Sequence, residues 1–229
     1  MFRHRVEYGD ELELVPSHQF YLSGCDLRCA FCVAELDSFD PRRGIELTSD
    51  YFNEAVAWGI EHGARNIQWI GGEPTIHLPA ILEVMSRCPQ LPPVVWKSDF
   101  HGTVESFSLL EGVVDTYVAD FKFGNDGCAQ RLAGVKNYMR IVTRNLKLAA
   151  GQGRLIVRHL LLPGHADCCL RPIVRWIQEE LPDVPFSLRD GYLPAWRAQR
   201  YVELRLPLGR TEIRSAQQIV AEAGLAVIQ

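Results

Sequence analysis

The chain has 229 residues, enough for one large domain with a proper core or two small ones, and its 47% hydrophobic and 23% charged residues exclude a disordered chain. A net charge of −4 gives no general attraction to nucleic acid or to an anionic membrane. The apolar runs are too short to span a bilayer, no h-region follows Met-Phe-Arg-His-Arg, and seven irregularly placed cysteines are no disulfide framework, so a cytoplasmic, reducing setting is expected.

Residues 1–16, with Leu12 and Leu14 among charges, read as an extended arm. Phe20, Tyr21 and Leu22 read as a short buried strand that ends at Ser23-Gly24. Cys25, Cys29 and Cys32 follow at once. Thiolates are soft ligands, so three in one loop argue for zinc or an iron–sulfur cluster. A closed zinc site or an electron-transfer cluster wants four protein ligands, and the next cysteine is Cys88. Three ligands on a four-iron cluster leave one iron open, which is the layout of a reactive cluster.

A polar stretch from Asp37 to Glu46 precedes a helix over 48–62, capped by Thr48 or Ser49 and closed by Gly63. Strand-sized runs then recur at 66–70, 94–97, 116–121, 155–162 and 185–188. Helix-sized segments separate them at about 78–87, at 104–110, in a helical region reaching 150, and around Leu170–Leu181; a last helix covers 211–223. Six strands alternating with helices predict a parallel α/β fold in a single domain over 1–229, with its core at about 18–200 and a C-terminal extension at 201–229. Periodicity does not separate an open sheet from a barrel. In both, active sites lie beyond the C-terminal ends of the strands, where the unusual residues of this chain fall.

Gly71-Gly72-Glu73-Pro74 follows the second strand: the glycines let backbone approach a ligand, and Glu73 offers a carboxylate. Lys97-Ser98-Asp99 follows the third, with Ser98 the candidate ligand against an ordinary turn. Asp120 and Lys122 share one side of the fourth strand, either to clamp a zwitterion or as a structural ion pair. Arg158 and His159 interrupt the fifth strand; Arg158 needs a ligand carboxylate or a core acid, and His159 reads first as a core histidine satisfied by backbone. His165, in the next loop, is a candidate to meet ligand or substrate. Cys168 and Cys169 read as first-turn thiols of the fifth helix with Asp167 as N-cap, for redox, donor or substrate-trapping work or simply as packing. Cys88 and Cys128 read as incidental. The segment Arg189–Arg210, with Tyr192, Trp196 and Tyr201, is either a docking face or a solvated one.

The spacing Cys25-x3-Cys29-x-Phe31-Cys32 resembles the signature of the radical S-adenosylmethionine (SAM) superfamily. Residues 114–122, 158–165 and 187–195 are similar to uncharacterised members related to pyruvate formate-lyase activating enzymes. The resemblance implies a partial TIM barrel, (β/α)6, with a [4Fe–4S] cluster on Cys25, Cys29 and Cys32. It implies SAM contacts from Phe31, Gly71, Gly72, Glu73, Pro74, Ser98, Asp120 and Lys122, with Arg158 and His159 as further candidates. It also implies an external electron donor of flavodoxin or ferredoxin type, and reductive cleavage of SAM to a 5′-deoxyadenosyl radical. That radical would take hydrogen from a peptide or protein, glycyl-radical activation of a partner enzyme included. A small-molecule substrate is the alternative, and a non-catalytic metal-binding module the rival of another class. The chain departs from that branch by lacking extra N-terminal cysteines and by its Gly-Gly-Glu-Pro loop.

Overall fold

The computed structural model describes residues 1–9 and 11–228. Seven strands form one sheet in the order of the sequence: β1 (Arg3–Glu7), β2 (Ser17–Leu22), β3 (Asn66–Gly71), β4 (Val94–Ser98), β5 (Thr116–Asp120), β6 (Arg154–Leu160) and β7 (Phe186–Arg189). From β2 to β7 every neighbouring pair is parallel, whereas β1 runs antiparallel to β2, with Arg3 opposite Tyr21. Strictly sequential order means that each crossover lands beside the strand it left. With right-handed crossovers, all the helices then cover one face and the sheet curls around the other. β1 and β7 are its two edges, so the sheet stays open. The six expected strands are present, and β1 adds a seventh from the segment read as an arm.

The helices are α1 (Glu35–Ser38), α2 (Ser49–Glu61), α3 (Leu78–Ser86), α4 (Val104–Leu110), α5 (Asp126–Ala133), α6 (Tyr138–Gln152), α7 (Arg171–Glu180) and α8 (Arg210–Glu222). The helical region expected to run to 150 is two helices, because Gly134 takes a left-handed φ of 77° and ends α5. No described helix is long and apolar enough to cross a membrane.

Alternation along the strands separates two environments. One face carries Phe20, Trp69, Trp96, Tyr117, Val157 and Phe186, all buried against the helices. Each such side chain contributes about 1.5–3 kcal/mol on burial, so this layer dominates the fold's stability. The other face has an apolar floor of Leu14, Val95, Val118 and Ile156. One step further towards the strand ends it turns charged. Lys97, Asp120, Arg158 and Arg189 line it, with Glu11 fully buried among them.

Candidate active site

β2 ends at a loop whose shape depends on backbone bonds. Gly24 takes φ 83°, a region that side chains rarely adopt, and its carbonyl accepts from Glu73 N at 2.8 Å. Gly72 N donates to Leu22 O at 2.7 Å, and a Cβ on Gly72 would land on the Gly24 carbonyl. Gly71, the last residue of β3, and Gly72 therefore bring that strand end against the cysteine loop, the close approach being to protein before any ligand. Further along, Arg28 N donates to Ala133 O (3.1 Å) and Ala30 N to Leu132 O (2.7 Å), so carbonyls left open at the end of α5 hold the loop.

Cys25, Cys29 and Cys32 line one cavity of about 230 Å³. Its wall includes Phe31, Gly71, Gly72, Glu73, Ser98, Asp120, Lys122 and Arg158, brought together from five strand ends. Pro74 and His159 do not line it. Pro74 is buried at the start of the 3-10 turn Pro74–His77, and His159 lies on the helix-facing side, with Nδ1 bonded to Phe121 O at 2.8 Å. Burial lowers the His159 pKa to about 4.

Glu73 is buried, and its carboxylate accepts from Thr75 N (2.9 Å), Ser98 Oγ (2.8 Å) and Asp99 N (2.9 Å), which ties the loops after β3 and β4 together. The Ser98 hydroxyl also accepts from Phe100 N at 3.1 Å and so is occupied within the protein. Asp99, which the sequence reading passed over in favour of Ser98, is the more open group. Its Oδ1 accepts from His101 N at 3.0 Å, while its buried Oδ2 has no hydrogen-bond partner among the described residues. Burial, then the charge of Glu73, pushes the Asp99 carboxyl well above the usual range. Burial, and then the charge of Asp26, raises Glu73 as well.

The opposite wall is cationic. Lys122 Nζ lies 2.8 Å from Asp120 Oδ2, and Arg158 Nε 2.6 Å from Asp120 Oδ1. Burial works to raise Asp120, but the Arg158 and Lys122 cations override it and hold the carboxyl below its ordinary range. Burial also raises the Cys29 thiol to about 12 despite an opposing pull from Lys122, and it raises Cys25 further, with Asp99 and Glu73 adding to the effect. Carboxyls alone thus act on Cys25, whereas at Cys29 the Lys122 cation works against Asp99 and Asp120.

His165, Cys168 and Cys169 lie outside this cavity. The expected helix start at Asp167 is not formed: Ala166–Leu170 is a single π turn and α7 begins at Arg171. Pro172 explains the shift, because proline is tolerated in the first turn of a helix and lacks the N–H that a later position would need. Asp167 instead pairs with Arg171 at 2.7 Å. The thiols are accordingly not lowered: burial and the neighbouring Cys128 raise both. Cys128, read as incidental, stands with them. Among the described residues, the donor groups that converge within 4.8 Å, as one ion requires, are Cys128–His165–Cys168–Cys169 and Cys25–Asp26–Asp99. The three loop thiols as a set are not one of them.

The Radical SAM superfamily profile matches residues 21–177. An uncharacterised protein of Methanocaldococcus jannaschii is 36% identical over 97% of this chain and 67% of its own length. Among solved structures, Streptococcus suis SuiB bound to its precursor peptide SuiA superposes with a TM-score of 0.65 at 14% identity, covering 91% of this chain and 47% of that one. This chain thus spans about half of SuiB. A domain of a pyruvate-formate lyase-activating enzyme from Bacteroides vulgatus gives a TM-score of 0.56 at 17% identity, covering 71% of this chain and 96% of that one. At those identities the structures speak for the fold alone, while the profile and the archaeal relative settle the lineage: this chain belongs to the radical SAM superfamily.

Proposed function

We propose that this chain is a radical SAM enzyme that takes hydrogen from a peptide or protein docked over the open side of its barrel. The observation that supports it best is the single cavity in which three thiols face both an unpartnered carboxylate oxygen on Asp99 and the Asp120–Lys122–Arg158 charges. The residues fit the two groups that the superfamily uses. Cys25, Cys29 and Cys32 would hold a [4Fe–4S] cluster, and the carboxylates and cations of the wall match the zwitterionic end of SAM. Held there, the pair supplies one-electron cleavage of the sulfonium carbon–sulfur bond and a carbon radical, the electron coming from an external donor protein.

The chain's own residues do the positioning. Asp99 Oδ2 would accept from the ammonium of the amino acid portion, and Glu73 would fix the two loops that carry this contact. Lys122 and Arg158 would face the carboxylate, with Asp120 holding both cations in place. Buried charges in a site with little water act more strongly than in solvent. A second opening of about 250 Å³ shares Phe31, Asp120, Lys122 and Arg158 with the first and continues to Gly191 and Leu193. Lining these openings, Val33 and Leu193 are exposed apolar side chains, at 69% and 62%. Such a rim suits a macromolecular substrate that closes the site on binding.

The test is anaerobic reconstitution. The protein should take up about four irons at this site, and Cys25→Ala, Cys29→Ala or Cys32→Ala should abolish that cluster. Stoichiometric zinc on the loop, with no iron–sulfur absorbance, would end the reading.

A further inference from the structure

The group around Cys128 has no part in the cavity just described, yet its geometry is specific. Cys168 Sγ lies 3.8 Å from Cys128 Sγ and 3.9 Å from Cys169 Sγ. His165 Nδ1 lies 3.6, 3.2 and 3.6 Å from the sulfurs of Cys128, Cys168 and Cys169. All four donor atoms fall within 4.8 Å of one another. Zinc with Zn–S of about 2.3 Å and Zn–N of about 2.0 Å in a tetrahedron sets its sulfurs about 3.8 Å apart and its nitrogen about 3.5 Å from each. Five of the six edges lie within about 0.3 Å of that figure, and the sixth, between Cys128 and Cys169, is within 4.8 Å.

Packing alone accounts poorly for the arrangement. The one lone pair on Nδ1 accepts a single S–H, whereas three sulfurs crowd that atom; a cation at the centre serves all four donors at once. The surroundings are also those of a ligand set. With Nδ1 turned towards the sulfurs, His165 presents Nε2 to the Glu203 carboxylate at 3.7 Å, the side on which metal-bound imidazoles carry an acidic partner. Asn125 Nδ2 points at Cys128 Sγ (3.2 Å) and donates to Cys168 O (2.7 Å). His165 and Cys169 are buried, while Cys168 is exposed and gives an ion its way in.

We propose that Cys128, His165, Cys168 and Cys169 bind one zinc ion in a closed, structural Cys3His site separate from the cysteine loop. Three thiols release their protons to solvent as the ion binds, and no oxidant or reductant is needed. Four protein ligands leave no open position, so the ion acts as a clasp. It joins the start of α5 to the turn before α7, and through His165 it reaches Glu203 in the C-terminal segment.

Chain purified anaerobically from zinc-supplemented medium, without chelator, should carry about one zinc besides its iron. X-ray absorption at the zinc edge should show three sulfur neighbours and one nitrogen. Cys168→Ser and His165→Asn should lose the zinc and keep the iron, whereas the triple variant C25A/C29A/C32A should lose the iron and keep the zinc. The two sites therefore fail or succeed separately. If the first two variants do not fold, cobalt titration of the metal-stripped wild-type chain carries the test: intense tetrahedral thiolate bands, bleached by zinc, are expected. Zinc well below stoichiometry, an octahedral cobalt spectrum, a Cys128–Cys168 disulfide in the anaerobic protein, or zinc kept by both single variants would overturn the proposal.

Discussion

Arg189 Nη2 donates to Glu11 Oε1 at 2.9 Å, and this bond ties the connection ahead of β2 to β7 at the far edge of the sheet. Among the described residues, no ladder of strand hydrogen bonds joins those two regions. Glu11 also meets Lys97 at 3.1 Å and Arg158 at 3.4 Å, so one buried carboxylate is shared by three cations of the barrel interior. Removing one member of a buried ion network costs about 3–5 kcal/mol, because charges desolvated for one another are left behind. Glu11→Ala should show a loss of that size in denaturant unfolding. Arg175→Ala, which breaks an exposed pair with Glu179, should cost far less, because solvent screens such a pair. Equal losses in the two variants would show that the network contributes nothing special.

Asp99→Asn and Lys122→Ala test the two ends of the cavity. Each removes a charge-assisted contact worth about 1.5–3 kcal/mol, so SAM affinity should fall about tenfold to a hundredfold in each. Iron content should hold, since neither residue is a proposed ligand. Unchanged affinity in both variants would mean that SAM sits elsewhere.

Two buried histidines set an acid limit on stability. His18 is lowered to about 4 by burial and then by His4, and His159 to about 4 chiefly by burial, against an ordinary 6.5. The fold therefore prefers both rings neutral. Their contribution is complete above pH 6.5 and drains away as the pH falls through 4, by up to about 3 kcal/mol per ring. The raised Asp99 and Glu73 carboxyls act in the opposite sense as the pH falls, so the reading is a difference: between pH 7 and 4 His159→Gln should shift the slope of unfolding free energy against pH towards a smaller loss than in the wild type. The Asp120 carboxylate, being lowered, adds its own loss only below the usual carboxylate range. A slope in His159→Gln as steep as in the wild type would contradict the assignment.

The open side makes a prediction about coupling. With reductant and no substrate, SAM cleavage should be slow, and a cognate peptide or protein should speed it and lose hydrogen. Leu193→Asp, at an exposed position outside the cysteine-lined cavity, should raise the KM for that substrate and leave the uncoupled rate alone. Efficient, coupled turnover of a free metabolite by the isolated chain would favour a small-molecule reaction instead.

Much of this architecture is legible in the sequence because its signals are local. The three cysteines, the Gly71-Gly72-Glu73 turn and the alternating runs from Phe20 to Leu188 each lie within a few residues of their partners. β1 is not legible: Arg-His-Arg-Val-Glu carries little apolar alternation, and the strand exists because its backbone pairs with β2. Glu11 and Arg189 are 178 residues apart, and nothing near either announces the other. Cys128 fails for the same reason, standing 37 residues from His165 and 40 from Cys168. Asp99 was in view, but the choice between it and Ser98 turns on which oxygen the fold leaves open.

Helix α5 reaches two places at once. Its last carbonyls hold Arg28 and Ala30 of the cysteine loop, and its first turn supplies Cys128. The loop's backbone is therefore ordered by folding, so its conformational entropy is spent before any iron arrives. Cluster assembly on such a loop is docking onto a finished template. Its rate should follow the supply of iron and sulfide, with the far-ultraviolet circular dichroism of the backbone unchanged from start to finish.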